Sequence, residues 1–285
     1  QVVRIVTPAT AMNSSCIEES SHSLIASIAR LGTRWGIALV DVTTALFQAL
    51  EVESDEELIR ELTRVHPKEI VMSPQADNPA VLAAIDASLT SIRTRLPNWS
   101  FAVTTAETIL RSHFKTATLD GFGLSERPAA IAAAGALINH LKDTLMVPVG
   151  HLRTIDLISR SRNMILDRST LANLDIFEST SKNQSGKSLF HIINGTKTPM
   201  GARLLRSWLQ SPLMDIQQIE ERQETVSASI QFMQERPKAF EEALLALEKI
   251  RDLERLILRI HAGHSGPRDL LFLAHCCTYV ERFKN

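Results

Sequence analysis

The sequence predicts an α/β domain over residues 1–148 followed by a helical domain over 149–285. Three observations point there. In the first half, short apolar runs rich in β-branched residues alternate with amphipathic stretches. From about Thr154 the strand signals stop and helical periodicity takes over. Charge divides along the same line, with 12 Lys/Arg against 16 Asp/Glu in residues 1–148 and 19 against 16 in the remainder. With 285 residues and 44% hydrophobic content, each part can bury a core of its own.

The elements follow in order. Residues 24–28 form an apolar run, Gly32 supplies a turn within 30–34, and 35–42 resumes as a second strand, which together read as a hairpin. A third strand covers 44–52. Ser54 stands three residues before Glu57, a capping-box spacing. Leu58, Ile59, Leu62 and Val65 then fall on one helical face until His66-Pro67 ends it. Glu69-Ile70-Val71-Met72 reads as a short buried strand. A helix over 79–92, a strand over 99–103, a helix over 105–114 and a long Ala-rich helix over 129–145 complete this half. The order β-β-β-α-β-α-β-α, with three antiparallel strands and then αβ crossovers, predicts a mixed sheet covered on both faces, the layout of RNase H-like folds.

The second half reads as helices over 166–177 and 188–193. A better-marked one follows, with Thr198 as N-cap and Pro199 at the first helical position. Its apolar residues Met200, Leu204, Leu205, Trp208 and Leu209 recur at helical spacing, and Pro212 stops it. Asp215 and Gln218 cap the next helix, and two more are expected over 239–261 and 267–283. The last carries Leu270, Leu271, Leu273, Cys277 and Val280, which predict an exposed apolar surface and self-association.

Composition excludes several classes. A net charge of −1 argues against a protein that works by coating nucleic acid. The longest uncharged stretch, residues 128–141, is too short to span a bilayer. Three cysteines, Cys16 and the adjacent Cys276 and Cys277, cannot build a disulfide framework and suit a reducing cytoplasm. The chain opens at Gln1 without a signal pattern and stops at Asn285 within a helical pattern, and is read as a fragment.

No motif carries catalysis, and no catalytic, cofactor or metal residue is assigned. Ser185-Gly186-Lys187-Ser188 copies the end of a phosphate-binding loop, but Ser181 stands where the leading glycine belongs and a helix precedes it. His261, His264, His275 and Cys276 are metal-ligand types, yet they read as a helix connection and a buried helical face. A two-metal nuclease on an RNase H-like sheet would need carboxylates converging from the first strand, first helix and fourth strand. The first strand has none, Asp41 on the second is assigned to local polar bonding, and Glu57 or Glu61 would stand alone. Trp35, Trp99 and Trp208 are expected in the core, since aromatics are few and not interleaved with basic residues. A nuclease with a helical accessory domain is the alternative from another class, and a protein-interaction scaffold is a third.

One segment says more than periodicity does. Thr196-Lys197-Thr198-Pro199-Met200-Gly201-Ala202-Arg203-Leu204-Leu205-Arg206-Ser207-Trp208-Leu209, followed by Pro212, Asp215 and Ile219-Glu220-Glu221-Arg222-Gln223, resembles the core-domain signature of the MutS mismatch-repair family. Val2-Val3-Arg4-Ile5-Val6-Thr7-Pro8 is similar to the lead-in to that family's connector domain. Gly121-Phe122-Gly123-Leu124 and Ala133-Ala134-Gly135-Ala136-Leu137 are similar to the connector's end. Leu166-Asp167, Asn173-Leu174, Asp252-Leu253-Glu254-Arg255 and Pro267-Arg268-Asp269-Leu270 match in order. Ala9 and Asp175 depart from it, standing where the family usually has Gly and Glu.

The resemblance, to a bacterial type, implies a connector over 1–148 and the first part of the helical core over 149–285. Together they would transmit between mismatch-binding and ATPase domains that have no counterpart in this sequence. It implies no enzyme activity or cofactor for this chain, and ATP with Mg, DNA-dependent ATPase activity, mismatched DNA and a homodimer for the parent, in the bacterial cytoplasm at the nucleoid. Thr198, Pro199, Met200, Gly201, Arg203, Leu204, Trp208, Leu209 and Pro212 would be structural. Met200, Leu204, Trp208 and Leu209 would pack the core, while Arg203 and Arg206, taken as exposed, would either face DNA or pair with nearby acids, of which pairing is the favoured reading. It further implies that the connector docks MutL. Residues 30–35 and 104–115 are where Arg34, Arg111, His113 and Lys115 offer polar contacts around apolar anchors.

Overall fold

The expected hairpin forms from β1 (Ile25–Leu31) and β2 (Arg34–Asp41), with Gly32 at φ 61° in the turn, a conformation glycine adopts at little cost. β2 pairs antiparallel with β3 (Leu46–Val52), and β4 (Glu69–Met72) returns parallel to β1. The computed structural model describes residues 21–145, 149–158, 163–164, 166–179, 188–263 and 265–284. These fall into two compact units that part at Ile158.

In the α/β unit the six strands run β5-β4-β1-β2-β3-β6, where β5 is Ile92–Arg95 and β6 is Asp156–Leu157. Alternate residues of the strands feed two separate cores. Ala26, Ile28, Trp35, Ile37, Leu39, Leu50, Ile70 and Met72 pack under α1 (Asp55–Val65) and α2 (Pro79–Ser88). Ile25, Ala29, Ala38, Val40, Phe47, Ala49 and Val71 pack under α3 (Val103–Phe114) and α4 (Pro128–Leu145). Helices therefore cover both faces, as the pattern of strands and crossovers requires.

Two glycines set how closely the second layer approaches. A Cβ at Gly36 would lie 1.8 Å from the carbonyl oxygen of Ala129, and one at Gly135 would lie 2.4 Å from Ala106. The start of α4 thus rests on the backbone of β2, and α4 rests on α3. Trp35 is fully buried and donates its indole N–H to Asp55 Oδ1 at 2.7 Å, while Asn78, the N-cap of α2, donates to Asp55 Oδ2 at 3.0 Å. One carboxylate thereby joins β2, α1 and α2.

The structure differs from the sequence pattern at the sheet's edge and at the end of the α/β unit. The fifth strand is Ile92–Arg95, not 99–103, and the helix read as 79–92 ends at Ser88 to make room for it. Residues 98–101 form a 3₁₀ turn. Residues 149–158, read as the start of the helical domain, belong to the α/β unit: Val149, Leu152 and Ile155 are buried in its core and β6 pairs parallel with β3.

The helical unit holds α5 (Arg168–Asn173), α6 (Leu189–Ile193), α7 (Pro199–Gln210), α8 (Ile216–Glu235), α9 (Pro237–Glu248), α10 (Leu253–His261) and α11 (Pro267–Lys284). The helix expected over 166–177 stops at Asn173, because Asp175 turns the chain at φ 49°, a left-handed position that Asp tolerates better than most. The single helix expected over 239–261 is two, divided where Asp252 caps α10 by accepting from Arg255 N. Leu270 and Leu271 stand more than half exposed on α11. No helix of the described residues is long and apolar enough to cross a membrane.

Candidate functional site

α7 begins as its sequence requires. Thr198 Oγ1 accepts from Gly201 N at 3.1 Å, and Pro199 occupies the first turn, where a missing N–H costs nothing. A Cβ at Gly201 would lie 3.2 Å from Thr198 Oγ1 and 3.3 Å from Thr196 Cβ, so this glycine serves the tight entry into α7. At the exit, Pro212 ends the helix and its carbonyl accepts from Met164 N at 2.7 Å, beside an isolated bridge between Asn163 and Leu213.

The buried face of α7 is not the apolar stripe. Ala202 and Arg203 are buried, Met200, Leu205, Arg206 and Leu209 are half-buried, and Leu204 and Trp208 stand 52% and 41% exposed. Trp208 lies instead under the guanidinium of Arg222, 3.9 Å from its ring centroid. The expectation that Leu204 and Trp208 pack the core is overturned, as is Trp99, which is exposed; Trp35 alone of the three is core. The physical reason is that the α7 face turned inward is occupied by a charge network.

That network centres on Arg203, 2% exposed. Its Nη1 donates to Asp252 Oδ2 at 2.6 Å, and its Nη2 donates to Asp252 Oδ1 at 2.8 Å and to Glu254 Oε2 at 2.6 Å. The planar fork matches a carboxylate in two parallel bonds, which an ammonium cannot do. Burial alone would push the guanidinium down, but the hydrogen bonds and charges of Asp252 and then Glu254 outweigh it and hold its pKa above the ordinary arginine range. Arg203 thus pairs with acids as expected, but from within the unit and not from an exposed face. Arg206 lies over the rings of Phe177 and Phe190, at 4.7 and 5.0 Å. Asp252 also caps α10, so one carboxylate fixes α10's start and its position against α7. Asp269 repeats the device, accepting from Gly266 N and from Arg259 Nη2 at 3.0 Å each.

In the α/β unit the four residues weighed for docking fall at different places. Arg34 leaves the β1–β2 turn and donates to Glu51 Oε1 at 3.1 Å. The other oxygen of Glu51 accepts from Ala129 N and Ala130 N, capping α4 across the layer. Arg111 pairs loosely with Glu107 one turn back, and Lys115 is the exposed left-handed C-cap of α3. His113 is half-buried against Phe114, and its Nε2 donates to Leu152 O at 2.7 Å. Burial holds its pKa below the ordinary value, and the bond to Leu152 offsets this only in part. Phe114 packs on Phe47, near the start of β3, while Arg34 meets Glu51 near its end, roughly 13 Å along the strand. Arg111 and Lys115 lie one turn apart and exposed at the end of α3, whereas His113 is turned inward to Leu152 and Arg34 stands apart.

Two buried acids complete the picture. Asp41 takes Thr43 N and Thr43 Oγ1 on one oxygen, at 2.8 and 2.6 Å, and Ser23 N and His22 Nδ1 on the other, at 3.1 and 2.9 Å. Burial would raise its pKa, but these bonds, that to His22 foremost, bring it below the ordinary aspartate value. Glu69, on the first residue of β4, accepts from Thr94 Oγ1 and meets His140 Nε2 of α4 at 3.1 Å. Sequence reading passed over Glu69 and His140, which lie 71 residues apart and have no local signal.

Comparison with known proteins supplies what geometry alone does not. A family model described as MutS domain II matches residues 23–153, and one described as MutS domain III matches residues 169–285. The DNA mismatch repair protein MutS of Protochlamydia amoebophila is 34% identical over 275 residues, covering 96% of this chain and 32% of the relative. Those of Solibacter usitatus and Chlamydia abortus are 33% and 32% identical, covering 100% and 95% of this chain and again 32% of each relative. The chain belongs to the MutS family. It spans about a third of the length of these curated MutS relatives.

With MutS as the frame, two of the stretches that carry the resemblance meet in space: Arg203 from the segment beginning Thr196-Lys197-Thr198-Pro199 clasps Asp252 and Glu254 from the late Asp-Leu-Glu-Arg segment. The geometry does not favour the nuclease alternative. Asp41 continues the strand face of Leu39, under α1 and α2, whereas Glu69 lies on the face of Val71 with α4, so the two buried acids sit on opposite sides of the sheet. Among the described residues no group of three or more His, Cys, Asp and Glu is placed to hold a metal ion. Residues 185–187 of the phosphate-loop-like motif, His264, Cys16 and the lead-in over 2–8 with Ala9 lie outside the described residues. Ser188, the last of that motif, caps α6 by accepting from His191 N.

Proposed function

We propose that this MutS-family chain supplies the connector and the first part of the core of a DNA mismatch repair protein. In that role it passes conformational information between the parts that contact a mismatch and hydrolyse ATP, and it offers a docking surface for MutL on the connector. The whole protein, acting as a dimer on mismatched DNA with ATP and Mg in the bacterial cytoplasm at the nucleoid, performs the chemistry. This chain positions and transmits. The observation that carries the reading is the Arg203 clasp, a short, geometrically specific link between α7 and α10 of the kind that lets a packed unit move as a rigid lever and not deform. The strand order β5-β4-β1-β2-β3, antiparallel through β3 and parallel through β4 and β5, supports an RNase H-like connector.

Retention of MutL by the full-length protein that carries this chain tests the docking role. Arg111→Glu with Lys115→Glu should weaken retention by about tenfold, the scale of one interface hot spot, and Arg34→Glu tests the separate site beside Glu51. Absence of MutL retention by the folded wild type removes the docking role. Retention unchanged in all variants removes its placement.

A further inference from the structure

We propose that the outer edge of β5 is a binding site for an extended, acidic strand of a partner protein, which would join the sheet as a seventh strand. β5 ends the sheet, with β4 on one side and no strand on the other among the described residues. Ile92 N donates to Lys68 O at 2.9 Å and Leu96 N donates to Met72 O at 3.1 Å. In a parallel ladder these donors alternate, so the N–H and C=O groups of Arg93 and Arg95 point away from β4, toward the open edge. Such a row is a ready template for another chain.

The side chains say which chain fits. Arg93 and Arg95 are exposed, and each reaches back to a carboxylate on its own unit, Asp86 at 3.2 Å and Asp77 at 3.0 Å. Both are surface pairs, worth little and easily exchanged for an incoming acid. Half-exposed Lys68 precedes the neighbouring strand, so three basic residues gather here on a half of the chain that is otherwise net acidic. Ile92, 48% exposed, offers apolar contact at the start of the edge, and Trp99, 59% exposed, stands in the turn that follows β5. A second copy of β5 does not fit: the outward groups belong to Arg93 and Arg95 in both copies, so antiparallel self-pairing sets arginine opposite arginine, which is destabilising. An occupant with acids at alternate positions meets the same arginines with opposite charge. This site is distinct from the MutL surface proposed at Arg111 and Lys115 and does not depend on it.

The probe is a capped peptide, Thr-Val-Glu-Val-Glu-Val-Thr, titrated into the full chain and followed by amide hydrogen exchange, with the Lys-for-Glu peptide as control. Binding of the Glu peptide should be at least about tenfold tighter than that of the control, and should slow exchange at Arg93 and Arg95 by about tenfold or more. Arg93→Pro removes one outward N–H while sparing the bonds to β4, a substitution edge strands accept. It should abolish binding with protection at Ile70 and Met72 retained. The proposal is overturned if the Glu peptide gives no protection at millimolar concentration, if Arg93→Pro binds it as well as wild type, or if this edge instead pairs with a second copy.

Discussion

Replacing Arg203 with Met keeps an unbranched apolar stem but removes the charged guanidinium fork, leaving Asp252 and Glu254 to face a buried apolar group. Breaking a buried pair by deleting one partner typically costs about 3–5 kcal/mol. Glu254 is nearly half exposed, so its share is that of a surface pair, under about 1 kcal/mol. The two bonds to Asp252, at 2.6 and 2.8 Å, carry most of the remainder. A loss of about 3 kcal/mol in the helical unit is the expected outcome, which speeds hydrogen exchange in α7 and α10 by roughly a hundredfold. The amides of β1 and β2, in the other unit, should not change. Arg203→Lys keeps the charge without the fork and should recover less than half of the loss. Arg203→Met with Asp252→Asn, which retains a cap for α10 but removes the orphaned charge, should recover about 1 kcal/mol or more. A loss below about 1 kcal/mol in α7, or an equal loss in β1 and β2, would refute the reasoning.

Three further outcomes follow from the α/β unit. Gly36→Ala places a Cβ against backbone atoms of Ala129 that cannot swing aside, and should lower the stability measured by urea unfolding by about 3 kcal/mol. Asp41 titrates below its ordinary value of 3.8 in the folded state, so its contribution is complete above that pH and is lost as pH falls through the lower folded value. Urea midpoints between about pH 6 and 2, which bracket the ordinary carboxylate pKa of roughly 4, should show Asp41→Asn less stable than wild type at the upper end and less sensitive to acid. His113 is likewise held below its ordinary 6.5, so its contribution is complete above 6.5 and declines as pH falls toward the folded value. Its imidazole resonance should titrate below 6.5, and His113→Gln should flatten that part of the stability profile.

What the sequence disclosed was local. Ser54, Thr198 and Asp215 cap the helices they were read to start, because a capping oxygen acts within three residues of itself. The unbroken apolar runs at Ile25 to Ala29 and Trp35 to Val40 fit strands covered on both faces, and their neighbouring residues do feed the two opposite cores, since a strand sends neighbours to opposite faces. β5 was missed because Ile-Arg-Thr-Arg at an exposed edge carries no burial pattern, and β6 because two residues have no period. Asp252 had a capping signal that would have divided α9 from α10. The clasp itself joins residues 49 and 51 apart, and Glu51 reaches Ala129 over 78, separations at which no spacing rule operates. Family resemblance flagged both ends of the clasp without joining them. The apolar spacing of α7 misled because Arg203, whose type suggests exposure, takes the inward position and turns Leu204 and Trp208 outward.

The central claim is that this chain transmits between distant sites through the Arg203 clasp. The direct measurement is ATP turnover of the full-length protein on mismatched against matched duplex, for wild type and Arg203→Met, at one salt concentration, with mismatch affinity measured alongside. The stimulation ratio should fall toward one in the variant while mismatch affinity and turnover without DNA stay within about twofold. A variant in which hydrogen exchange shows α7 loosened, yet which keeps the full mismatch-dependent stimulation, would contradict it.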